Sequence, residues 1–119
     1  MNQLQNLFKA LSDETRLRIL VLLFHKKLCV CQIQGVLKES QPKVSKHLAK
    51  LRDMGIVKDE RQEQFIYYYI DKENIMLRSI LKMVIEDSEK YQLLITDIEE
   101  LKKSDLYIEK KREQISKKI

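Results

Sequence analysis

The segment that most restricts the fold runs from Pro42 to Gly55, PKVSKHLAKLRDMG. Proline is tolerated in the first turn of a helix, where its missing N–H is not needed, and glycine is favoured just past a helix end. Between these punctuation marks Val44, Leu48 and Leu51 repeat at helical spacing and form one buried stripe. Lys43, Ser45, Lys46, His47 and Lys50 are left facing outward. The preceding LCVCQIQGVL, residues 28–37, reads as a helix of two to three turns, so the pair makes a helix-turn-helix pattern. After Gly55, IVKDE and FIYYYI are rich in β-branched or aromatic residues and are joined by the polar RQEQ, which predicts a hairpin.

A hairpin directly after a basic helix is the wing of a winged helix. Upstream, LQNLFKAL carries Leu4, Leu7, Phe8 and Leu11 at helical spacing. Ser12 is expected to cap a second helix, SDETRLRILVLLF, with Asp13 and Glu14 in its first turn and Leu17, Leu20, Val21 and Phe24 toward the core. Downstream, Leu77, Leu81, Val84, Tyr91, Ile95 and Ile98 step by threes and fours through one long helix, interrupted only at Ser88. That stripe is longer than one small core can cover, which predicts a helix contact with a second copy. Residues 1–101 are expected to form the folded domain and residues 102–119 a charged tail, frayed or partly helical. With one Pro and two Gly in 119 residues, a turn-rich β fold is excluded. The expected class is mainly α with a small β-hairpin: a winged helix-turn-helix.

The net charge of +5 is carried entirely by residues 1–70, where 12 basic residues face seven acids. A basic head and a neutral remainder suit nucleic acid at one end and self-association at the other. Lys43, Lys46 and Lys50 share one helix face, with no acid between Val44 and Arg52, and such a row can neutralise phosphates. Gln41, Ser45 and His47 lie near the helix start, where base edges are reached. Arg61 supplies the wing's cation. Any one of these lysines equally well solvates its helix; their agreement with the element order points to double-stranded DNA. No apolar run approaches a membrane span, ILVLLF being the longest, and the N-terminus has no charged leader before an apolar stretch. A cytoplasmic protein with reduced thiols is expected.

LSDETRLRILVLL, LCVCQIQ and SQPKVSKHLAKLRDMGIVKDERQEQFIYYYI together resemble the ArsR/SmtB family of metal-sensing winged-helix repressors, most closely its arsenic-responsive members. The resemblance runs through residues 4–98. It implies a homodimer held by the first and last helices, seated on palindromic operator DNA and released by an inducer. Three features depart from the family pattern. The wing tip has Glu63 and Gln64 where Gly and Arg are common. The long helix has no His, so the family's zinc site between C-terminal helices has no imidazole ligands here. Gln34 stands where a third cysteine is common.

The two cysteines, Cys29 and Cys31, are the candidate inducer ligands. On a regular helix they point about 200° apart and cannot share an ion, whereas on an extended segment i and i+2 fall on one side. Binding is therefore expected to select an unwound start of the helix beneath the basic one. Thiolates select soft partners, and two of them without His or carboxylate fall short of a closed zinc site. As(III) or Sb(III) fits better, with water, hydroxide or another group replacing a sulfur at position 34; a mono-organic arsenical needs only the two thiolates. No resident cofactor is required. Alternatives are another thiophilic metal or thiol oxidation as the signal, and, outside regulation, a thiol oxidoreductase or a helical adaptor. The oxidoreductase requires a thioredoxin-like βαβ order that the sequence lacks.

Overall fold

A computed structural model describes residues 1–117. The central pillar is α2 (Glu14–His25), in which Ile19, Leu20, Val21, Leu22 and Leu23 are all buried. Consecutive burial means that neighbours cover this helix on nearly every side, so it has no polar face to solvate. Leu17 and Phe24, expected in the core, are only half-buried but pack against it. The cap of α2 is Asp13, whose carboxylate accepts from the Arg16 N–H at 2.9 Å. Ser12, expected to cap α2, instead donates its hydroxyl to the Lys9 carbonyl at the end of α1 (Asn2–Leu11).

Residues 28–37 are not one helix. Leu28 and Cys29 form a short strand, β1, and α3 begins at Val30 and ends at Leu37. Lys38, in the left-handed conformation with φ of 57°, turns the chain into α4 (Gln41–Asp53). Ser40 caps α4, Pro42 sits in its first turn, and Val44, Leu48 and Leu51 are buried, as the stripe predicts. The hairpin is shorter at its turn than expected: β2 (Lys58–Gln62) and β3 (Phe65–Tyr69) are joined by Glu63 and Gln64 alone. Strand β1 adds to the other edge of β3, pairing Leu28 with Tyr68 and Cys29 with Tyr67, so the sheet is antiparallel in the order β1-β3-β2.

The expected single long helix is divided. Helix α5 (Ile75–Glu86) ends in a 3-10 turn at Ser88–Lys90, and α6 (Gln92–Glu100) follows after Tyr91, which is extended at φ −128°. At the break the Asp87 carboxylate pairs with Lys90 at 2.9 Å. A second 3-10 turn, Leu101–Lys103, leads into α7 (Ser104–Lys117). The tail, expected to be frayed or partly helical, forms a helix over Ser104–Lys117 with Ser104 and Ile108 buried; its last two residues lie outside the described ones. Its docking needs one glycine. The Tyr107 ring lies on Gly35 of α3, and a Cβ there would fall on that ring.

Candidate nucleic-acid interface and thiol site

The buried stripe of α4 fixes which side chains face out. Gln41, Lys43, Lys46 and Lys50 are exposed on it, and Ser45 and His47 are half-buried. Gln41 donates its amide to the Ser45 hydroxyl at 2.8 Å, so these two polar groups are held as a pair. The lysine row is not uniform. Lys43 is bound to Glu39 at 3.2 Å, while Lys46 and Lys50 have no ion-pair partner among the described residues. His47 places Nδ1 4.0 Å from the Asp13 carboxylate, yet burial outweighs that attraction and holds its pKa below the ordinary value. Its ring is therefore neutral at pH 7 and can donate or accept. Arg61 is exposed on β2, opposite Ile66 in the hairpin, and the adjoining wing tip is turned by Glu63 at φ 59°.

A buried ion pair, which sequence inspection missed, holds this surface in place. Arg18 of α2 binds Asp97 of α6 through two hydrogen bonds, Nε at 2.8 Å and Nη2 at 2.9 Å, and both side chains are less than a tenth exposed. The same guanidinium reaches the Leu37 carbonyl at 3.3 Å and Glu39 at 3.7 Å. The Asp97 hydrogen bond raises the pKa of Arg18, so it is charged at every relevant pH. Glu39 passes the connection to Lys43, and the turn before α4 is thereby tied to α6.

The thiols lie at a junction. Cys29 ends β1 with extended backbone, φ −87° and ψ 169°, and Cys31 lies in the first turn of α3. That change of conformation removes the helical phase difference, and the two sulfurs stand 2.7 Å apart as free thiols. No unwinding is needed to bring them together, contrary to the expectation for a continuous helix. The Cys31 thiol bonded to Cys29 lowers the Cys29 pKa to about 7 despite burial, and the same bond, with burial, pushes Cys31 up. Gln32 accepts from the Cys29 N–H at 3.0 Å and donates to the Ser104 carbonyl at 3.3 Å, so α7 is bonded to the junction.

Cys29 is buried with Phe65 and Ile108, and Cys31, Tyr67 and Ile115 pack at the edge of that cluster. Beside it opens a cleft of about 770 Å³. Both cysteines and Gln34 line one part, Gln41 and Ser45 of α4 another, and Gln64 and Ile66 of the wing a third. The structure therefore brings the predicted thiols next to the start of the predicted DNA-reading helix. Among the described residues no three or more His, Cys, Asp or Glu side chains gather as a metal cage.

Residues 13–59 match the model of the bacterial regulatory protein arsR family. The chain is 48% identical over 69 residues to the arsenic resistance transcriptional regulator ArsR2 of Pseudomonas putida, covering 57% of this chain and 60% of that one. It is 35% identical to the cadmium resistance transcriptional regulatory protein CadC of Listeria innocua, over 69% of this chain and 68% of the relative. The chain belongs to the arsR family. The family match takes in α2, both cysteines and α4, but ends before Arg61 and does not reach α5, α6 or α7. Against arsenic-resistance regulators the chain spans 52–60% of their length. Among solved structures it is similar to the homodimeric winged helix-turn-helix DNA-binding domain of Mb0332 from Mycobacterium bovis, a possible ArsR-family transcriptional regulator. That likeness has a TM-score of 0.62 at 25% identity, over 76% of this chain and 83% of the other. The members compared are named as transcriptional regulators, which agrees with a role other than enzyme.

Proposed function

We propose that the protein is a homodimeric transcriptional repressor that leaves its operator when As(III) or Sb(III) binds Cys29 and Cys31. The observation that carries this reading is the convergence of two free sulfurs, 2.7 Å apart, in a cleft shared with Gln41 and Ser45. Lys46, Lys50 and Arg61 supply phosphate contacts, Gln41, Ser45 and His47 reach base edges, and Lys43 contributes once freed from Glu39. Phe8 on α1 and Ile75, Met76 and Met83 on α5 are more than half exposed, which supports a second copy covering them. No helix in the described residues is long and apolar enough to cross a membrane.

The binding step is a condensation. Arsenous acid, As(OH)3, gives up two hydroxyl groups as each thiol forms an S–As bond, and two waters leave with the thiol protons. Hydroxide, water or the Gln34 side chain completes the coordination. An ion held by both sulfurs would take room beside Ile108 and Phe65, which pack with Cys29. The ion-bound state therefore favours a displaced start of α3 and a displaced α7, while DNA favours the present arrangement of α4. That difference in preference between two states is what couples the ligands.

The low pKa of Cys29 and the short S···S distance favour one second reading, oxidation of the pair. There a peroxide takes two electrons, the thiols lose two protons and an S–S bond forms. Promoter DNA from the protein's own gene, titrated with arsenite, antimonite, phenylarsine oxide, cadmium, zinc and hydrogen peroxide, separates these signals. Arsenite is expected to release wild-type protein and to fail with Cys29→Ser and Cys31→Ser. Normal release of both variants removes the thiols from the mechanism.

A further inference from the structure

Composition assigns residues 71–119 no net charge and hence no role on DNA, but the fold sorts the charges of α7. At about 100° per residue, Asp105, Glu109 and Glu113 fall on one side of the helix, and Tyr107, Lys110, Lys111 and Gln114 on the other. The second group lines the cleft that also holds Gln41 and Ser45 at the start of α4 and Gln64 at the wing tip. Lys38 adds a third cation to the same cleft. The one acid lining it among the described residues, Glu39, is already bound to Arg18 and Lys43. Lys110 and Lys111 have no ion-pair partner among the described residues.

Helix α7 is firmly seated in this position. Tyr107 rests on Gly35, Ile108 is 6% exposed against Cys29 and Phe65, and Arg112 lies 5.7 Å above the Phe65 ring. Lys110 is held 5.9 Å from the centre of the Tyr107 ring. The cations are thus presented on a docked element beside α4 and the wing, and do not trail as a solvated tail.

We propose that α7 is part of the DNA-contacting surface, with Lys110 and Lys111 on backbone phosphates of the strand flanking the groove that α4 enters. This rests on the DNA-binding reading above and extends it to a helix that the family match does not reach. A strand of phosphates is the occupant that fits, because the cleft is continuous with the base-reading end of α4 and its free charges are of one sign. The same helix covers Cys29, so displacement of α7 by an ion on the thiols also withdraws two phosphate contacts per protomer.

The salt dependence of binding tests this. Affinity for a duplex spanning the protein's own promoter is measured against salt for wild type, for Lys110→Gln with Lys111→Gln, and for Lys102→Gln with Lys103→Gln. The second pair removes the same charge from the 3-10 turn outside the cleft. Each lost phosphate contact lowers the log–log slope by about 0.9, so the cleft pair should lose about 1.8 per protomer and twice that in a dimer. The control pair should keep the wild-type slope, and circular dichroism should show unchanged helix content in both. Equal slopes for the two pairs overturn the proposal. Absence of salt-dependent binding by wild type overturns the DNA reading itself, and this inference with it.

Discussion

Removing the Cys31 thiol is the most direct probe of the site's electrostatics. The hydrogen bond from Cys31, across 2.7 Å, is the largest cause of the low pKa of Cys29, about 7. An ordinary thiol with a pKa of about 8.5 is roughly 3% ionised at pH 7, whereas Cys29 is about half ionised, a gain of roughly 16-fold in thiolate. Its lower basicity costs it roughly fivefold in intrinsic nucleophilicity, so the net gain in reactivity is only about threefold. Rates therefore discriminate poorly, and burial of Cys29 slows any bulky reagent. The titration midpoint discriminates well. Thiolate ultraviolet absorbance of the reduced protein should show one thiolate per chain rising with a midpoint near 7, with the second suppressed. Cys31→Ala should move that midpoint upward, because the largest lowering cause is then gone while burial and the backbone N–H donors remain. Cys31→Ser retains an O–H donor and should fall between. Wild-type thiols ionising together near 8.5, or a Cys31→Ala midpoint still near 7, would refute the reasoning.

The same bond sets the sign of the pH dependence of stability. Cys29 has a lower pKa folded than unfolded, so its contribution is complete above about 8.5 and is lost as pH falls through about 7. Cys31 is raised, so its contribution is complete below its unfolded value and declines as pH climbs past it. Relative to a double alanine variant, the urea midpoint of wild type should peak at roughly pH 8–8.5.

Three substitutions test the scaffold. Asp97→Ala strands Arg18 and should cost about 3–5 kcal/mol in urea unfolding, most of it recovered by Arg18→Met with Asp97→Leu. Gly35→Ala places a methyl on the Tyr107 ring and should destabilise by about 1–3 kcal/mol, with faster amide exchange in α7 and partial rescue by Tyr107→Ala. Glu63→Gly relieves a left-handed residue worth about 1–2 kcal/mol against a glycine entropy cost of about 0.5–1, so the wing should gain roughly 0.5–1 kcal/mol in thermal unfolding.

Elements defined by local chemistry were legible in the sequence: Pro42, Gly55 and the Val44, Leu48, Leu51 stripe delimit α4, and the aromatic run delimits β3. Features that depend on distant partners were not. Strand β1 is two residues long and exists because Tyr67 and Tyr68 pair with it. Arg18 and Asp97 lie 79 residues apart, and nothing near either marks it as buried. The stripe from Leu77 to Ile98 loses its period at the break near Ser88: Tyr91 is 50% exposed, and α6 buries Leu94 and Asp97 while Ile95 and Ile98 are only half-buried. Helix α7 has only a few apolar residues, and their use becomes visible once Gly35 offers the Tyr107 ring a flat seat.

Position at a junction also changes what the thiols can transmit. Were both cysteines on one helix, chelation would have to act by melting that helix, and α3 would be the sole route to α4. With Cys29 at the end of β1, its side chain packs on Phe65, the first residue of β3, and on Ile108 of α7. In the proposed mechanism an ion entering there presses at once on the wing, on the start of α3 and on α7. The ion pairs through Arg18 tie the turn before α4 to α2 and α6, and their member Glu39 lines the same cleft as the thiols. A site wedged among three elements can displace DNA contacts by small shifts in each, because packed interfaces yield by rearrangement and not by continuous bending.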